Sequence, residues 1–324
     1  MPEGDTVLRT ARTLHRALSG KPLTRTEFRW GALGEIDLAG RQVIETVAYG
    51  KHLLTRIAGG RGSAGPHRSA AEVPLTLHTH LRMDGSWRLH RTGSRDWPRT
   101  DDPQIRAVVA GSDWTCVGIL LGMIDLVPTE RESELVGALG PDIMAEQWPD
   151  TGRSEALRRW STAADRPLGE VLLDQRVVAG IGTFYMAEAL FARRLSPWRP
   201  ASELDADAAG ELLDTARRLL LAGAEQPVPN TTGDTRRKET SYVHARSGRP
   251  CRRCGGGVRV AGVGTAPHER PAFYCPNCQP GPAPTDNGRP QAPLGAAPTR
   301  PGSLRNVGLG PPRWRAEPGR GYRR

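Results

Sequence analysis

Apolar positions at Val7, Ala11, Leu14 and Leu18 are spaced by four, three and four, which lays them along one face of a helix over residues 5–18. Arg9, Arg12 and Arg16 fall elsewhere around that helix, and Gly20 with Pro22 stops it. From Leu23 to about Val127 the pattern changes to short runs rich in Val, Ile, Leu, Thr and Trp, broken by glycines. QVIETVAY, KHLLTRI, PLTLHTHL, GSWRLH and IRAVVA are examples, and together they predict an antiparallel β-sandwich or barrel. Residues 58–72 interrupt it as a long polar loop. After Pro128 the helical spacing returns in ESELVGAL, SEALRRW, LGEVLLD, TFYMAEALFARR and ELDADAAGELLDTARRLLLAGAE. A β part followed by an α part predicts two domains joined near 128–132. Within 246–280, GVRVAGVGTAPHERPAFYC alternates around glycines and predicts a small β-hairpin.

The composition adds a partner. The 324 residues carry 45 Lys and Arg against 35 Asp and Glu, a net charge of +10 that favours a polyanion such as nucleic acid. The only lysines are Lys21, Lys51 and Lys238, so nearly all the positive charge is arginine. Residues 281–324 hold nine prolines, eight arginines and two acids; this predicts a disordered basic tail, because too little apolar surface is present to offset ordering. No apolar run reaches the roughly 18 residues of a membrane span, and MPEGDTVLRT lacks the apolar stretch of a secretory signal.

Four of the five cysteines form two C-x2-C pairs, Cys251 with Cys254 and Cys275 with Cys278, separated by 20 residues. Without an export signal this spacing predicts a structural zinc site, since each turn presents two thiolates to one tetrahedral ion. The alternative of two redox pairs lacks a thioredoxin-like βαβ setting. Cys116, in the run VVAGSDWTCVGILLGM, is expected in a core.

Three segments in one order now resemble the Fpg/Nei family of DNA glycosylases: Met1-Pro2-Glu3-Gly4-Asp5-Thr6, the stretch VLLDQRVVAGIGTFYMAEALF ending at residue 191, and HARSGRPCRRCGG…HERPAFYCPNCQ over 244–279. The second is similar to the family's helix–two-turn–helix (H2TH) element and the third to its zinc finger. The resemblance spans residues 1–280. It implies an α+β multidomain fold: an N-terminal catalytic β-sandwich with a leading helix over 1–128, a helical H2TH domain over 129–243, a four-cysteine zinc finger over 244–280 and the tail over 281–324.

The chemistry follows from residue types as well. Removal of Met1 before a small second residue exposes the Pro2 nitrogen, a secondary amine with a pKa of roughly 8, far more nucleophilic at neutral pH than a lysine near 10.4. Attack on C1′ of a nucleotide displaces the base and leaves an iminium, which acidifies C2′ and permits β-elimination of the 3′ phosphate. Glu3 is placed to exchange the protons. The resemblance gives Lys51, in Tyr49-Gly50-Lys51-His52, a phosphate contact that assists elimination. It gives Arg270 a grip on phosphates beside the lesion and a part in δ-elimination, for which a guanidinium fork is suited. It gives Met83, in His80-Leu81-Arg82-Met83-Asp84-Gly85, the task of filling the gap left by an everted base; the plainer reading is a core methionine at a strand end. Gly182 and Thr183 open a helix whose amides would approach a phosphate closely.

Two departures from the family pattern bear on substrate. Thr183 stands where asparagine is usual. The arginine–phenylalanine void-filling segment of the formamidopyrimidine branch is missing from DWTCVGILLGM. With the PEGDT start, these favour the endonuclease VIII (Nei) branch and oxidised pyrimidines over oxidised purines. The rival of another class is a non-enzymatic zinc protein that senses DNA lesions. Pro2, Glu3 and Lys51 argue against it, since binding alone needs no N-terminal amine. The arginine and alanine bias suggests a high-GC bacterial genome of actinobacterial type. The expected partner is damaged DNA, duplex or single-stranded, met by a cytoplasmic, nucleoid-associated monomer with one Zn²⁺, no organic cofactor and no membrane.

Overall fold

The structure is a computed structural model that describes residues 2–60, 73–94, 101–236 and 239–284. Most of the loop expected at 58–72, most of the tail expected at 281–324, and Lys238 lie outside these residues. Helix α1 (Gly4–Leu18) turns Val7, Ala11, Leu14 and Leu18 inward, the face its spacing predicts.

Eight strands follow: β1 (Arg25–Phe28), β2 (Val43–Tyr49), β3 (His52–Ile57), β4 (Leu75–His80), β5 (Ser86–Arg91), β6 (Ile105–Ala110), β7 (Trp114–Ile119) and β8 (Met123–Pro128). They pair into two antiparallel sheets, β1-β6-β7-β5 and β2-β3-β4-β8. One core joins α1 to both sheets through Leu53, Ile57, Leu77, Val109 and Cys116. Cys116 is fully buried there, and burial pushes its thiol up to about 12.

Helices α2 (Ser133–Val136), α3 (Arg153–Ser161), α4 (Leu168–Leu173), α5 (Thr183–Ala192) and α6 (Ala206–Ala224) follow, and then the hairpin β9 (Arg259–Val263) and β10 (Arg270–Tyr274). The segment ESELVGAL is only one helical turn: the Gly137 N–H donates to the Ser133 carbonyl at 2.7 Å, and the glycine favours leaving the helix over extending it. Helix α5 is apolar nearly all the way round, as a helix buried on every side must be. Tyr185, Met186, Ala189 and Leu190 face the helical core, and Ala187 and Phe191 face a second core made with Val258, Val260, Phe273, Cys251, Cys275 and Cys278. Glu188 of the same helix is buried and accepts the N–H groups of Tyr242, Val243 and His244 at 2.8–2.9 Å, which clamps the chain entering the finger.

Candidate active site

Glu3 precedes α1 at its N-cap, 1% exposed, yet its carboxylate makes no capping bond to its own helix. It crosses to the N-terminus of α5. There Oε2 accepts the N–H groups of Gly182 at 2.9 Å and Tyr185 at 3.3 Å, and Oε1 accepts that of Phe184 at 2.7 Å. Those amides have no partner within their helix, and the helix end carries a partial positive charge, so a carboxylate is the natural occupant. A Cβ on Gly182 would lie 2.3 Å from Glu3 Cδ, so only glycine admits the approach. The Gly4 N–H donates to the Gly180 carbonyl at 3.0 Å and pins the same junction.

The Gly182 N–H, one of the amides expected to approach a DNA phosphate, donates to Glu3 here, and Thr183 beside it is 7% exposed. At that one amide the anion is built into the chain.

Burial raises the Glu3 carboxyl above its ordinary value, against the pull of the Lys51 ammonium and the amides of Phe184 and Tyr185. Asp5, fully buried, accepts the Tyr185 hydroxyl at 2.9 Å and adds to the upward shift. Pro2 is half-buried immediately before this carboxylate.

Lys51 lies in the turn between β2 and β3. Gly50 before it has φ +57°, and a Cβ there would come within 2.8 Å of the Ala179 Cβ, so the turn is pressed against the loop that precedes α5. Burial lowers the Lys51 ammonium below its ordinary value, Glu3 opposes the shift and Arg270 adds to it. Arg270 is exposed at the start of β10. Glu3, Lys51 and Arg270 come from positions far apart in the chain, yet the electrostatics of Lys51 register both of the others.

Met83 is 56% exposed in the link between β4 and β5, which excludes the core reading. Leu120, in the link between β7 and β8, was not singled out from sequence; it is 38% exposed with φ +48°. The second link is tied to the end of β4, where the first begins, by the Gly122 N–H donating to the His80 carbonyl at 3.0 Å. An apolar side chain in a left-handed turn leaves no mark in a sequence pattern, so Leu120 reads there as one more core residue.

Two faces of the β2-β3-β4-β8 sheet differ sharply. Leu53, Ile57, Leu77 and Ile124 enter the core. Opposite them, Arg56 is paired with Glu45 and Glu132, and His52, His78 and Asp125 are linked by hydrogen bonds. Three of the eight histidines lie at 52, 78 and 80. The alternation of His78 and His80, with a period of two, is the signal that could have drawn attention to them.

The sulfur atoms of Cys251, Cys254, Cys275 and Cys278 lie within 4.8 Å of one another. Cys251 and Cys278 are 3.9 Å apart and Cys254 and Cys275 3.5 Å. A tetrahedron of sulfurs at about 2.3 Å from one ion has edges of about 3.8 Å, whereas a disulfide needs about 2.05 Å, so the quartet fits one metal and not two bridges.

The fold has known counterparts. A family model described as the formamidopyrimidine-DNA glycosylase N-terminal domain matches residues 1–115, and one described as the H2TH domain of that glycosylase matches 139–232. "Probable endonuclease 8 2" of Streptomyces coelicolor is 45% identical over 291 residues, covering 89% of this chain and 98% of that relative. The chain belongs to the Fpg/Nei family, in its endonuclease VIII branch. Within it, the "DNA-(apurinic or apyrimidinic site) lyase Nei2" of Mycolicibacterium smegmatis is 35% identical, over 86% of this chain and 99% of that one. The fold of a Lactococcus lactis Fpg solved with DNA containing an AP site superposes with a TM-score of 0.68, at 20% identity, covering 86% of this chain and 100% of that one. Among the described residues no helix is long and apolar enough to cross a membrane.

Proposed function

We propose that this chain is a bifunctional DNA glycosylase and AP lyase of base-excision repair, with the Pro2 nitrogen as nucleophile and oxidised pyrimidines as the preferred lesions. The observation that carries the reading is Glu3: a carboxyl adjoining Pro2, buried, held by the Gly182 amide and two amides of α5 and raised toward its protonated form. Pure binding has no use for such a group.

With Met1 removed, Pro2 attacks C1′ as Glu3 gives a proton to the ring oxygen of the opening sugar, and the base departs with the proton shed by the proline nitrogen, which leaves the iminium and an ionised Glu3. The same carboxylate, now ionised, takes protons in the later steps. Lys51 holds the phosphate next to the attacked sugar. A lysine whose charge is already disfavoured by burial and by Arg270 gains most when a phosphate arrives. Arg270 grips the neighbouring phosphates and favours the second, δ, elimination. Met83 and Leu120, two exposed apolar tips on linked turns, enter the stack where the base has left. In domain terms, residues 1–128 carry the nucleophile and the wedge, 129–243 the H2TH element, 244–280 the finger, and 281–324 a basic tail.

The four cysteines would hold one structural zinc. Four thiolates fill its coordination, so it supplies rigidity and no reactive water. Cys275→Ser is expected to lower zinc content from about one per chain to none, unfold the finger and weaken DNA binding by displacing Arg270. Atomic absorption with a binding titration tests this; undiminished affinity in the metal-free variant would refute it.

The broader test is cleavage of end-labelled duplexes carrying thymine glycol, 8-oxoguanine or an abasic site. Thymine glycol should be cut faster than 8-oxoguanine, and a protein that binds all three without cutting would be a lesion sensor. In the same assay Arg270→Ala should shift products from δ- to β-elimination. An unchanged product ratio would remove Arg270 from that step.

A further inference from the structure

Next to Lys51 lies a hydrogen-bonded chain that the chemistry above does not use. The Asp125 carboxylate, 42% exposed on β8, accepts the Nδ1–H of His78 at 2.9 Å. His78 is buried on β4, and its Nε2 lies 2.8 Å from Nδ1 of His52 on β3, with the two ring planes 18° apart. A carboxylate only accepts, so His78 Nδ1 must carry its hydrogen. With both rings neutral, the shared hydrogen then sits on His52 Nδ1, and His52 Nε2 is left as an acceptor.

Adding a single proton to the pair changes one thing at its open end. His78 Nδ1 still donates to Asp125, one hydrogen still lies between the rings, and His52 Nε2 becomes a donor. The outcome at His52 Nε2 is the same whichever ring carries the charge. Asp125 offsets the added charge through His78.

The surroundings of His52 decide when that happens. His78 and His80 face it from β4, Arg82 from the link after β4, and Lys51 from the adjoining turn, with Tyr49 opposite it on β2. Burial, with His80, His78, Lys51 and Arg82 adding to it, pushes His52 down to about 3. A phosphodiester entering this cluster reverses the balance.

We propose that the Asp125–His78–His52 chain takes up one proton from solvent when a DNA phosphodiester enters beside Lys51, turning His52 Nε2 from acceptor into a donor to the phosphate. The inference rests on the glycosylase reading for the identity of the anion. It makes His52 a proton-linked contact, and His78 and Asp125 the residues that position it.

The test is calorimetric titration of the full chain with a duplex containing a tetrahydrofuran abasic analogue, in buffers of different ionisation enthalpy, between pH 5.5 and 7. The wild type should take up close to one proton at the acid end, and Kd should weaken by up to about tenfold per pH unit as that uptake is lost. His52→Gln should abolish the uptake. Asp125→Asn keeps an oxygen to accept the His78 Nδ1–H but removes the charge, so its uptake should move to lower pH and its Kd should be flat across the range. His80→Gln should retain the uptake. Wild-type uptake in either His52→Gln or Asp125→Asn, or its loss in His80→Gln alone, overturns the relay. A wild-type protein that binds the duplex and is trapped on abasic DNA by borohydride, but takes up no proton, refutes the relay and leaves the glycosylase reading intact. Failure to bind or to be trapped sinks both.

Discussion

Incubated with abasic DNA and borohydride, the mature protein should become covalently fixed to the strand. Reduction of the iminium on Pro2 gives a stable amine, whereas a protein that only binds forms no bond however tight its complex. A non-removable N-terminal extension should abolish trapping altogether, because the Pro2 nitrogen becomes an amide without a basic lone pair. The extension leaves Glu3 on α5, so the fold should persist by circular dichroism. Pro2→Gly keeps a free amine, primary and less constrained, and should retain weak trapping. Peptide mapping of the adduct decides the matter: attachment at Lys51, or undiminished trapping by the blocked protein, would overturn the mechanism.

Glu3→Gln should have the second large effect, and on two readouts at once. Loss of the acid should slow base excision by about 10²-fold or more, the usual share of a positioned acid–base group. Both Glu3 oxygens accept amide hydrogens of α5, so the amide nitrogen of glutamine must meet one of those N–H groups as a second donor. That mismatch should cost about 1–3 kcal/mol, visible as a lowered denaturant midpoint. Cleavage at a preformed abasic site should suffer less than excision. In the wild type the folded-state pKa of Glu3 is raised above its unfolded value. Between the two values the folded state binds the proton more tightly, so stability falls as pH rises from the ordinary carboxyl range through the raised one. Glu3→Gln should lose that part of the pH dependence. A midpoint profile identical to wild type would contradict the buried placement.

Helix α1, the strand runs and the cysteine quartet were legible because each depends on local spacing. A helix period, an alternation and a C-x2-C turn are all properties of neighbouring residues. What the pattern could not convey are meetings across the chain. The Glu3–Gly182 bond joins residues 179 positions apart, and nothing near either one announces the other. The glycines of the α5 turn read as a phosphate cradle because glycine marks a close approach without saying what approaches. His52, His78 and Asp125 were passed over for the same reason, since only the register of β3, β4 and β8 brings them together. ESELVGAL misled in the other direction, for helix propensity does not report that Gly137 closes the turn early.

The Glu3 seat on α5 also imposes an order on the protein's birth. Its partners at 182, 184 and 185 are made long after residue 3. At ribosomal speeds the wait is roughly 10–40 s. Through that interval the amino terminus hangs free of the half-buried position it later takes, open to the peptidase that must cut Met1 away. Once α5 emerges and draws Glu3 onto its end, Pro2 is carried into the fold. On the reading that makes Pro2 the nucleophile, the nascent chain is where its maturation is least obstructed, and a molecule that folds with Met1 still attached would be a complete scaffold with its amine locked in a peptide bond.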